Sequence, residues 1–402
     1  MGVDRIFDNL LSNNSLFKDK KVLTHDYVPE NLPHREREVS ELASVLAAAL
    51  RGEGRPSNVF MYGKSGTGKT VLARFVVEKL KSKGETLGLT FSSAYLNTRY
   101  RKTNYRVLAS LCEELGGTSV PATGLPTDVV FDRLQKIIDS GEHLVVIILD
   151  EIDWLVKHSG DDLLYQLTRV NNILEKGEVS LVGITNDLKF REYLDRRVIS
   201  SLGEESIVFN PYDAEELFDI LRKRSKIAFK SNVLKENAIK VASAIAAREH
   251  GDARRAIDLL RVAGEIAERE KRERVTKEEI LKAREKVEKN VVKDTIIGLP
   301  LQEKLLLLAL GLHAKTGRKK VKTGELKETY ESVCREMGHN PVSLRRINDL
   351  LSDLEMLGLV TSNVKSFGRY GRSRVSELEV SPGLTVEAIQ SEKNLEFLAE
   401  QL

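Results

Sequence analysis

Short apolar segments alternate with longer amphipathic segments through the first half of the chain. Five apolar segments predict buried strands, at residues 58–62, 89–96, 144–149, 179–184 and 206–209. Continuously apolar strands are typical of a parallel sheet that is covered on both faces. The order of strand, helix and strand therefore predicts a doubly wound α/β layer with right-handed crossovers.

The pattern changes after Pro211, where strand-like segments stop. Residues 213–290 carry apolar residues at helical spacing and predict a second, all-helical domain. Gly298-Leu-Pro300 then interrupts the helical pattern. We predict three domains, with boundaries at residues 1–210, 211–297 and 298–402.

The third domain combines three helical segments with a β-hairpin. The helices are predicted at 301–315, 323–337 and 341–357, and the hairpin from 359–360 and 375–380 around a turn rich in Gly and Arg. Three helices followed by a hairpin are the pattern of a winged helix, which binds DNA in many proteins.

Composition excludes several classes of protein. The 402 residues include 63 basic and 60 acidic ones, a net charge of +3, which is unlike a histone-like polycation. No segment of eighteen apolar residues exists and the N-terminus lacks a signal-peptide pattern, so we expect a cytoplasmic, nucleoid-associated protein without a membrane partner. Cys112 and Cys334 have no spacing typical of disulfides or zinc sites, and we interpret both as packing residues.

A phosphate-binding loop follows the first predicted strand and precedes a helical segment. Residues 63–70 read GKSGTGKT and fit GxxxxGK[ST]. Backbone N–H groups and the helix N-terminus would face the β-phosphate, Lys69 would bridge the β- and γ-phosphates, and the Thr70 hydroxyl would hold Mg²⁺. The residues predicted to bind ATP or ADP here are Gly63, Lys64, Ser65, Gly66, Thr67, Gly68, Lys69 and Thr70.

Two further strand ends carry polar residues that suit the same site. The third strand ends in Asp150-Glu151, where Asp150 would orient the Mg²⁺ shell and Glu151 would polarise the attacking water. The fourth strand ends at Asn186, whose amide could hold that water in line. Taken alone, either strand end could be an ordinary surface turn.

Two arginine-bearing segments could supply cations to the developing charge on phosphate. They contain Arg196-Arg197 before the last strand and Arg254-Arg255 in the helical domain. A solvated helix face is the alternative interpretation for each pair. Shared ATP hydrolysis needs a cation from a lid or from a neighbouring subunit, and both segments lie where such a cation would be required.

These motifs, in this order, resemble an AAA+ ATPase with its helical lid. Three further segments are similar to the archaeal origin-recognition and cell-division-cycle family of replication initiators: YVPENLPHRE at 27–36, NTRYRKTNYR at 97–106 and VPATGLPTD at 120–128. The resemblance covers nearly the whole chain. It implies an AAA+ parallel-sheet domain, a lid and a C-terminal winged-helix domain.

The resemblance also implies roles for individual residues. Asn186 would be sensor 1, Arg254 sensor 2 and Arg197 the finger acting on a neighbouring subunit. The family usually has proline before that finger, where this chain has Arg196, so both arginines are candidates. The residues implied near adenine, ribose or the rest of the nucleotide are Val28, Pro29, His34, Arg35 and Tyr212.

Segment 116–131 matches a helical insertion that the resemblance places on DNA, with Thr123 and Thr127 as candidate contacts. An ordinary connecting loop and helix is the alternative for this segment. Charge supports a DNA interface in the third domain, because residues 304–374 contain 14 basic and 7 acidic residues, a net charge of +7. The candidate DNA contacts there are Lys319, Lys320, Ser343, Arg345, Arg346, Arg369, Tyr370, Arg372 and Arg374.

The candidate contacts fall into three groups. Lys319 and Lys320 lie in a basic connection that suits phosphates or is merely a solvated loop, and the helix beginning near Ser343 presents arginines as recognition helices do. The Gly- and Arg-rich turn would form a cationic wing tip. A winged helix can also bind protein instead of DNA.

Three functions remain open from the sequence. The leading hypothesis is an ATP-binding initiator that recognises double-stranded origin DNA, acts with other copies or paralogues, recruits the replicative MCM helicase and hydrolyses ATP slowly as a switch. The second is an AAA+ motor or clamp loader that turns over rapidly in a ring. The third is a transcription regulator whose phosphate loop only senses nucleotide.

Overall fold

The computed structural model describes residues 15–24, 26–51, 57–89, 91–101, 103–116, 120–121, 123–141, 143–202, 205–366 and 372–390. The chain forms two compact units, which divide between Leu281 and Lys282. This division lies within the long helix Lys277–Gly298.

The five predicted strands form one parallel sheet in the first unit. They are β1 (Val59–Gly63), β2 (Phe91–Asn97), β3 (Leu144–Asp150), β4 (Glu178–Thr185) and β5 (Glu205–Phe209), in the order β2-β3-β4-β1-β5. Strand β3 is buried along its whole length, with Ile147 in the core on one face and Ile148 in the core on the other. The predicted doubly wound α/β fold is therefore confirmed.

Helices cover both faces of this sheet. Helices α1 and α2 pack on one face, and α3 to α6 contribute to the core on the other. The α-helices are α1 (Glu36–Leu50), α2 (Lys69–Leu87), α3 (Asn104–Glu114), α4 (Thr127–Ile138), α5 (Ile152–Ser159), α6 (Asp162–Thr168) and α7 (Arg196–Ser201). Short 3-10 helices are formed by Lys20–Leu23, Thr98–Tyr100, Val170–Asn172 and Phe190–Tyr193.

The lid consists of α8 (Ala214–Ala228), α9 (Glu236–Arg248), α10 (Ala253–Arg269) and the start of α11 (Lys277–Gly298). Helix α8 begins with a capping box between Asp213 and Glu216, which satisfies backbone N–H groups at its N-terminus. None of the helices in the described part of the chain combines the length and the apolar character that a membrane span requires.

The second unit has the predicted winged-helix architecture with one strand that the sequence did not predict. Its elements are α12 (Leu301–Lys315), β6 (Lys320–Lys322), α13 (Thr323–Glu336), α14 (Leu344–Met356), β7 (Val360–Ser366), β8 (Arg372–Leu378) and α15 (Pro382–Gln390). The strands form an antiparallel sheet in the order β6-β8-β7. Strand β6 has only three residues, and its outward lysines give it the sequence character of a basic loop.

Candidate nucleotide site and nucleic-acid interface

The phosphate loop is held in its conformation by two glycines with left-handed backbone angles. Gly66 has φ of 75° and Gly68 has φ of 94°, which side chains other than glycine rarely adopt. A Cβ at Gly66 would lie 1.8 Å from the Asp252 carboxylate, and one at Gly68 would lie 2.8 Å from the Tyr212 hydroxyl. The loop therefore fits directly against the lid and the segment that leads into it.

Lys69 occupies the first position of α2 and is buried, although it lines the cavity above the loop. Its Nζ donates to the carbonyl oxygens of Gly63 and Lys64, at 2.7 Å each. Burial lowers the pKa of Lys69 to about 8, the nearby Asp150 raises it and Arg254 lowers it further. The ammonium is thus preorganised beside the loop, where phosphate oxygens would be stronger acceptors than the two carbonyls.

Asp150 is almost fully buried and each of its carboxylate oxygens accepts a hydrogen bond. Oδ2 accepts from the Thr70 hydroxyl at 2.7 Å and from the Tyr95 hydroxyl at 2.9 Å, and Oδ1 accepts from the backbone N–H of Glu151 at 2.9 Å. Burial and the Asp150 charge raise the pKa of Tyr95, so its hydroxyl stays a donor. The sequence did not identify Tyr95 as a residue of this site.

Thr70 and Asp150 together suit Mg²⁺. Both offer hard oxygen ligands, and Mg²⁺ in nucleotide sites is held by one or two such groups together with phosphate oxygens and water. Bound Mg²⁺ would neutralise charge on the phosphates. Among the described residues, no group of three or more His, Cys, Asp or Glu side chains forms a separate metal site.

Glu151 follows β3 in a left-handed conformation, with φ of 53°. Its Oε1 accepts from Asn97 Nδ2 at 3.3 Å, and its Oε2 lies 3.7 Å from Arg99. The sequence signal was that Asn97 and Arg99 belong to segment 97–106, which carries part of the family resemblance, and the structure then pairs Asn97 with Asp150 in the parallel register. We did not predict either partner of Glu151.

Hydrogen bonds connect the C-terminal end of β4 to α5. Asp153 accepts from the Thr185 hydroxyl at 3.0 Å and from the Asn186 backbone N–H at 3.4 Å, and Lys157 bonds Asp187 at 2.8 Å. Asn186 is exposed and lines the cavity. Its amide is therefore available to a ligand in the same cavity as Lys69.

The lid brings one of the two candidate cations to the cavity. Arg254, in the first turn of α10, is exposed and lines the cavity, and the neighbouring Ala253 N–H donates to Gly66 O at 3.1 Å. Arg197 does not line the cavity. It is exposed and pairs with Asp195 at 3.3 Å, at the first turn of α7. The role of Arg197 on a neighbouring subunit therefore stays a prediction.

The cavity has a volume of about 1310 Å³ and extends from the phosphate loop to an apolar region. The loop residues that line it are Ser65, Gly66, Gly68, Lys69 and Thr70. The apolar region contains Val28 and Pro29 together with Ile220 and Ile257 of the lid, and Tyr212 also lines the cavity. Such a region suits a flat nucleobase.

His34 and Arg35 do not line the cavity, which differs from the roles that the resemblance implied for them. Arg35 is buried and donates to Thr67 O at 3.1 Å and to Asn210 O at 2.7 Å, and its guanidinium stacks 3.8 Å from the Tyr212 ring. Arg35 therefore stabilises the phosphate loop through its hydrogen bond to Thr67 O, on the side of the loop away from the cavity. Similarly, Gly63, Lys64 and Thr67 shape the loop without facing the cavity.

The N-terminal end of α14 presents the candidate DNA contacts. Ser343 caps the helix, because its Oγ accepts from the Arg346 N–H at 3.4 Å. Arg345 and Arg346 are both exposed, and Arg346 lies 4.0 Å from Asp349. Ser343 is therefore mainly structural, whereas the two arginines are accessible to a ligand.

The remaining candidates differ in their environments. Lys319 is exposed, Lys320 lies in β6 with its ammonium 3.8 Å from Glu377, and Thr123 and Thr127 are exposed near the start of α4. Arg369 and Tyr370 lie outside the described residues, as does the side chain of Arg372.

Arg374 is engaged within the winged helix, which argues against its predicted role in contacting DNA. Its guanidinium donates to Asn348 O at 3.0 Å, Ser352 Oγ at 3.1 Å and Glu355 Oε2 at 2.8 Å, so it ties β8 to α14. The sequence could not show this because the partners lie about twenty residues away.

We expect Arg374→Ala to destabilise the second unit by about 1 to 3 kcal/mol, because three hydrogen bonds from a half-buried cation are lost. Thermal unfolding followed by circular dichroism would measure this change. The exposed Arg335→Ala on α13 serves as the charge-matched control and should leave the melting temperature nearly unchanged. Equal melting temperatures for both variants would contradict the structural role.

Comparisons with known proteins agree with this architecture. Family models match residues 31–182 as an AAA ATPase domain, residues 218–285 as a Cdc6 AAA+ ATPase-type lid domain and residues 294–388 as a CDC6 C-terminal winged helix domain. The chain is 48% identical over 380 residues to an ORC1-type DNA replication protein of Thermococcus kodakarensis, covering 94% of this chain and 91% of the relative. It is 47% identical to ORC1-type DNA replication protein 1 of Archaeoglobus fulgidus, covering 98% and 95%.

A solved structure is similar over nearly its whole length. This is the Aeropyrum pernix ORC1 protein in complex with DNA, with a TM-score of 0.84, 45% identity, and coverage of 96% of this chain and 99% of that chain. The Aeropyrum pernix ORC2 protein, at 23% identity and a TM-score of 0.61, shares the fold.

Proposed function

The chain belongs to the ORC1 and Cdc6 family of DNA replication initiators, and from this membership we propose that it binds double-stranded origin DNA and recruits the replicative MCM helicase in its ATP-bound state. The observation that carries the nucleotide part is one cavity lined by Lys69, Thr70, Asp150, Asn186 and Arg254. The DNA-bound relative and the exposed arginines at the start of α14 support the DNA part.

ATP hydrolysis would act as a switch in this proposal. Glu151 would polarise a water for attack on the γ-phosphorus, and the Asn186 amide would orient it. Arg254 would offset the charge that develops on the phosphate, and Arg197 would do so for a neighbouring copy. Asn97 and Arg99 contact the Glu151 carboxylate, and we expect hydrolysis to be slow while these contacts hold it.

Arg345→Ala is expected to weaken binding to origin repeats by about 10- to 100-fold, because base-edge contacts of arginine each contribute about 1 to 3 kcal/mol. Fluorescence anisotropy would compare intergenic DNA from the source chromosome with random duplexes, at about 0.15 M salt with ATP or ADP present. The charge-matched control is Arg335→Ala, which lies on α13.

A preference of the wild type for discrete repeats, lost in Arg345→Ala and kept in Arg335→Ala, supports the proposal. Equal affinity of the wild type for random and intergenic DNA would reject origin recognition. A closed ring with rapid turnover stimulated by DNA would instead identify a motor or clamp loader.

A further inference from the structure

One wall of the nucleotide cavity is a strap, residues 27–33, that connects the N-terminal arm to α1. All seven of its residues line the cavity. We propose that Arg224 of the lid is a positioning residue that holds this strap in the geometry needed to select adenine over guanine. The inference rests on the proposed binding of adenine nucleotides and names a residue that controls its specificity.

Arg224 contacts the strap from a buried position. It is 9% exposed and donates from Nη1 to Val22 O at 2.8 Å and from Nη2 to Tyr27 O at 3.3 Å. Its guanidinium also lies 4.4 Å from the centre of the Tyr27 ring. A planar cation with a fixed fork of donors defines both the position and the orientation of the backbone that it binds.

The arm before the strap belongs to the lid and not to the sheet. The Phe17 ring packs 4.7 Å from Phe229, and the N–H groups of Lys18 and Asp19 donate to Ala228 O. Lys20 pairs with Glu265 of α10 at 2.7 Å. Arg224 therefore links Val22 O at the end of the lid-bound arm to Tyr27 O at the start of the strap.

The other end of the strap also meets helix α8. His34, which directly follows the strap, has its Nε2 at 3.0 Å from Asp219 Oδ2. Helix α8 contributes Ile220, Lys223 and Arg224 itself to the cavity wall. The strap thus crosses a single lid helix and is held near both ends, so its backbone position depends on the lid.

Adenine and guanine differ in the hydrogen-bonding groups on one edge of the ring. Adenine presents an acceptor at N1 and a donor at N6, whereas guanine presents a donor at N1 and an acceptor at O6. A backbone that is held rigidly can accept one pattern and leave the other unpaired, which is costly in a desolvated site. Val28 lines the cavity and directly follows the Tyr27 carbonyl that Arg224 holds, so the contact with Arg224 fixes the backbone on which Val28 lies.

The test compares the full-length wild type with Arg224→Met and Arg224→Lys. Calorimetry would measure the affinities for ADP, GDP and inorganic tripolyphosphate. We expect the ratio of ADP to GDP affinity to fall about tenfold in Arg224→Met, since loss of two hydrogen bonds loosens the strap. Arg224→Lys keeps the charge but has no planar fork, so its ratio should fall as well. Tripolyphosphate affinity should stay unchanged.

Arg222→Met is the matched control, because it removes an arginine from an exposed position of the same helix that does not line the cavity. It should keep the wild-type ratio. If Arg224→Met unfolds, which thermal melting would show, Arg224→Lys decides the question. A wild-type ratio in the folded Arg224 variants, or an equal fall in Arg222→Met, overturns the inference. Failure of the wild type to bind ADP would instead reject the proposed function.

Discussion

Replacing Glu151 by glutamine is expected to lower the rate of ATP hydrolysis by at least about 100-fold while ATP affinity changes by less than about threefold, as loss of a general base does in other enzymes. Glutamine has the same length and can still accept from Asn97 Nδ2, so the left-handed turn after β3 should survive. It cannot take up a proton from the attacking water. Phosphate release under single-turnover conditions and calorimetric titration with ATP would separate chemistry from binding.

Glu114→Gln provides a matched control for this variant. Glu114 is another carboxylate that lines the same cavity, where its Oε2 accepts from the Tyr95 backbone N–H at 2.9 Å. Its replacement should leave hydrolysis close to the wild-type rate. If Glu151→Gln hydrolyses ATP as fast as Glu114→Gln, the water must be activated by another group.

The sequence was sufficient to predict the sheet and the phosphate-binding loop because both depend on local patterns. Strand β3 has seven buried residues and a continuous apolar sequence, and the loop glycines supply backbone angles that few other residues adopt. The winged helix was predictable for the same reason. Strand β6 was missed because three residues with two outward lysines carry no period that distinguishes a strand from a basic loop.

Contacts between distant segments could not be read from the sequence. The resemblance made Arg35 a candidate nucleotide-binding residue. Its guanidinium instead donates to Thr67 O and to Asn210 O, and Asn210 is 175 positions away. Arg374 likewise lies near a candidate DNA-binding surface, yet its guanidinium forms an ion pair with Glu355 of α14. In both cases an arginine close to a candidate binding surface donates to backbone carbonyls of the segments that form that surface.

The partners of Asp150 and Glu151 could be predicted in part. Tyr95 and Asn97 are on alternate positions of β2 and so point to the same side of the sheet, beside the end of β3. A parallel register that pairs Asn97 with Asp150 is enough to place both near the carboxylates. The register follows only when the neighbour of each strand is known, and strand order in a doubly wound sheet is not a local property.

Lys69 of the phosphate-binding loop is expected to contribute most of the charge that binds phosphate. Lys69→Met is expected to reduce affinity for ATP and ADP by at least about 100-fold, because charge-assisted hydrogen bonds to phosphate contribute about 1.5 to 3 kcal/mol each. Burial lowers the pKa of Lys69 to about 8, because a buried ammonium has a desolvation cost. Methionine has a similar length and no charge, so we expect the variant to fold. The wild type should gain thermal stability on addition of ADP, whereas Lys69→Met should not.

Lys64→Met distinguishes a specific contact from a general loss of positive charge. Lys64 lies five residues earlier in the same loop and is exposed, and only its carbonyl oxygen takes part in the loop, where it accepts from Lys69 Nζ and from the Thr67 hydroxyl. Its replacement should reduce ADP affinity by less than about threefold, as is typical for a screened surface charge. Equal losses in the two variants would mean that the net charge of the loop determines affinity, and that the burial of Lys69 beside the Gly63 carbonyl has no part in phosphate binding.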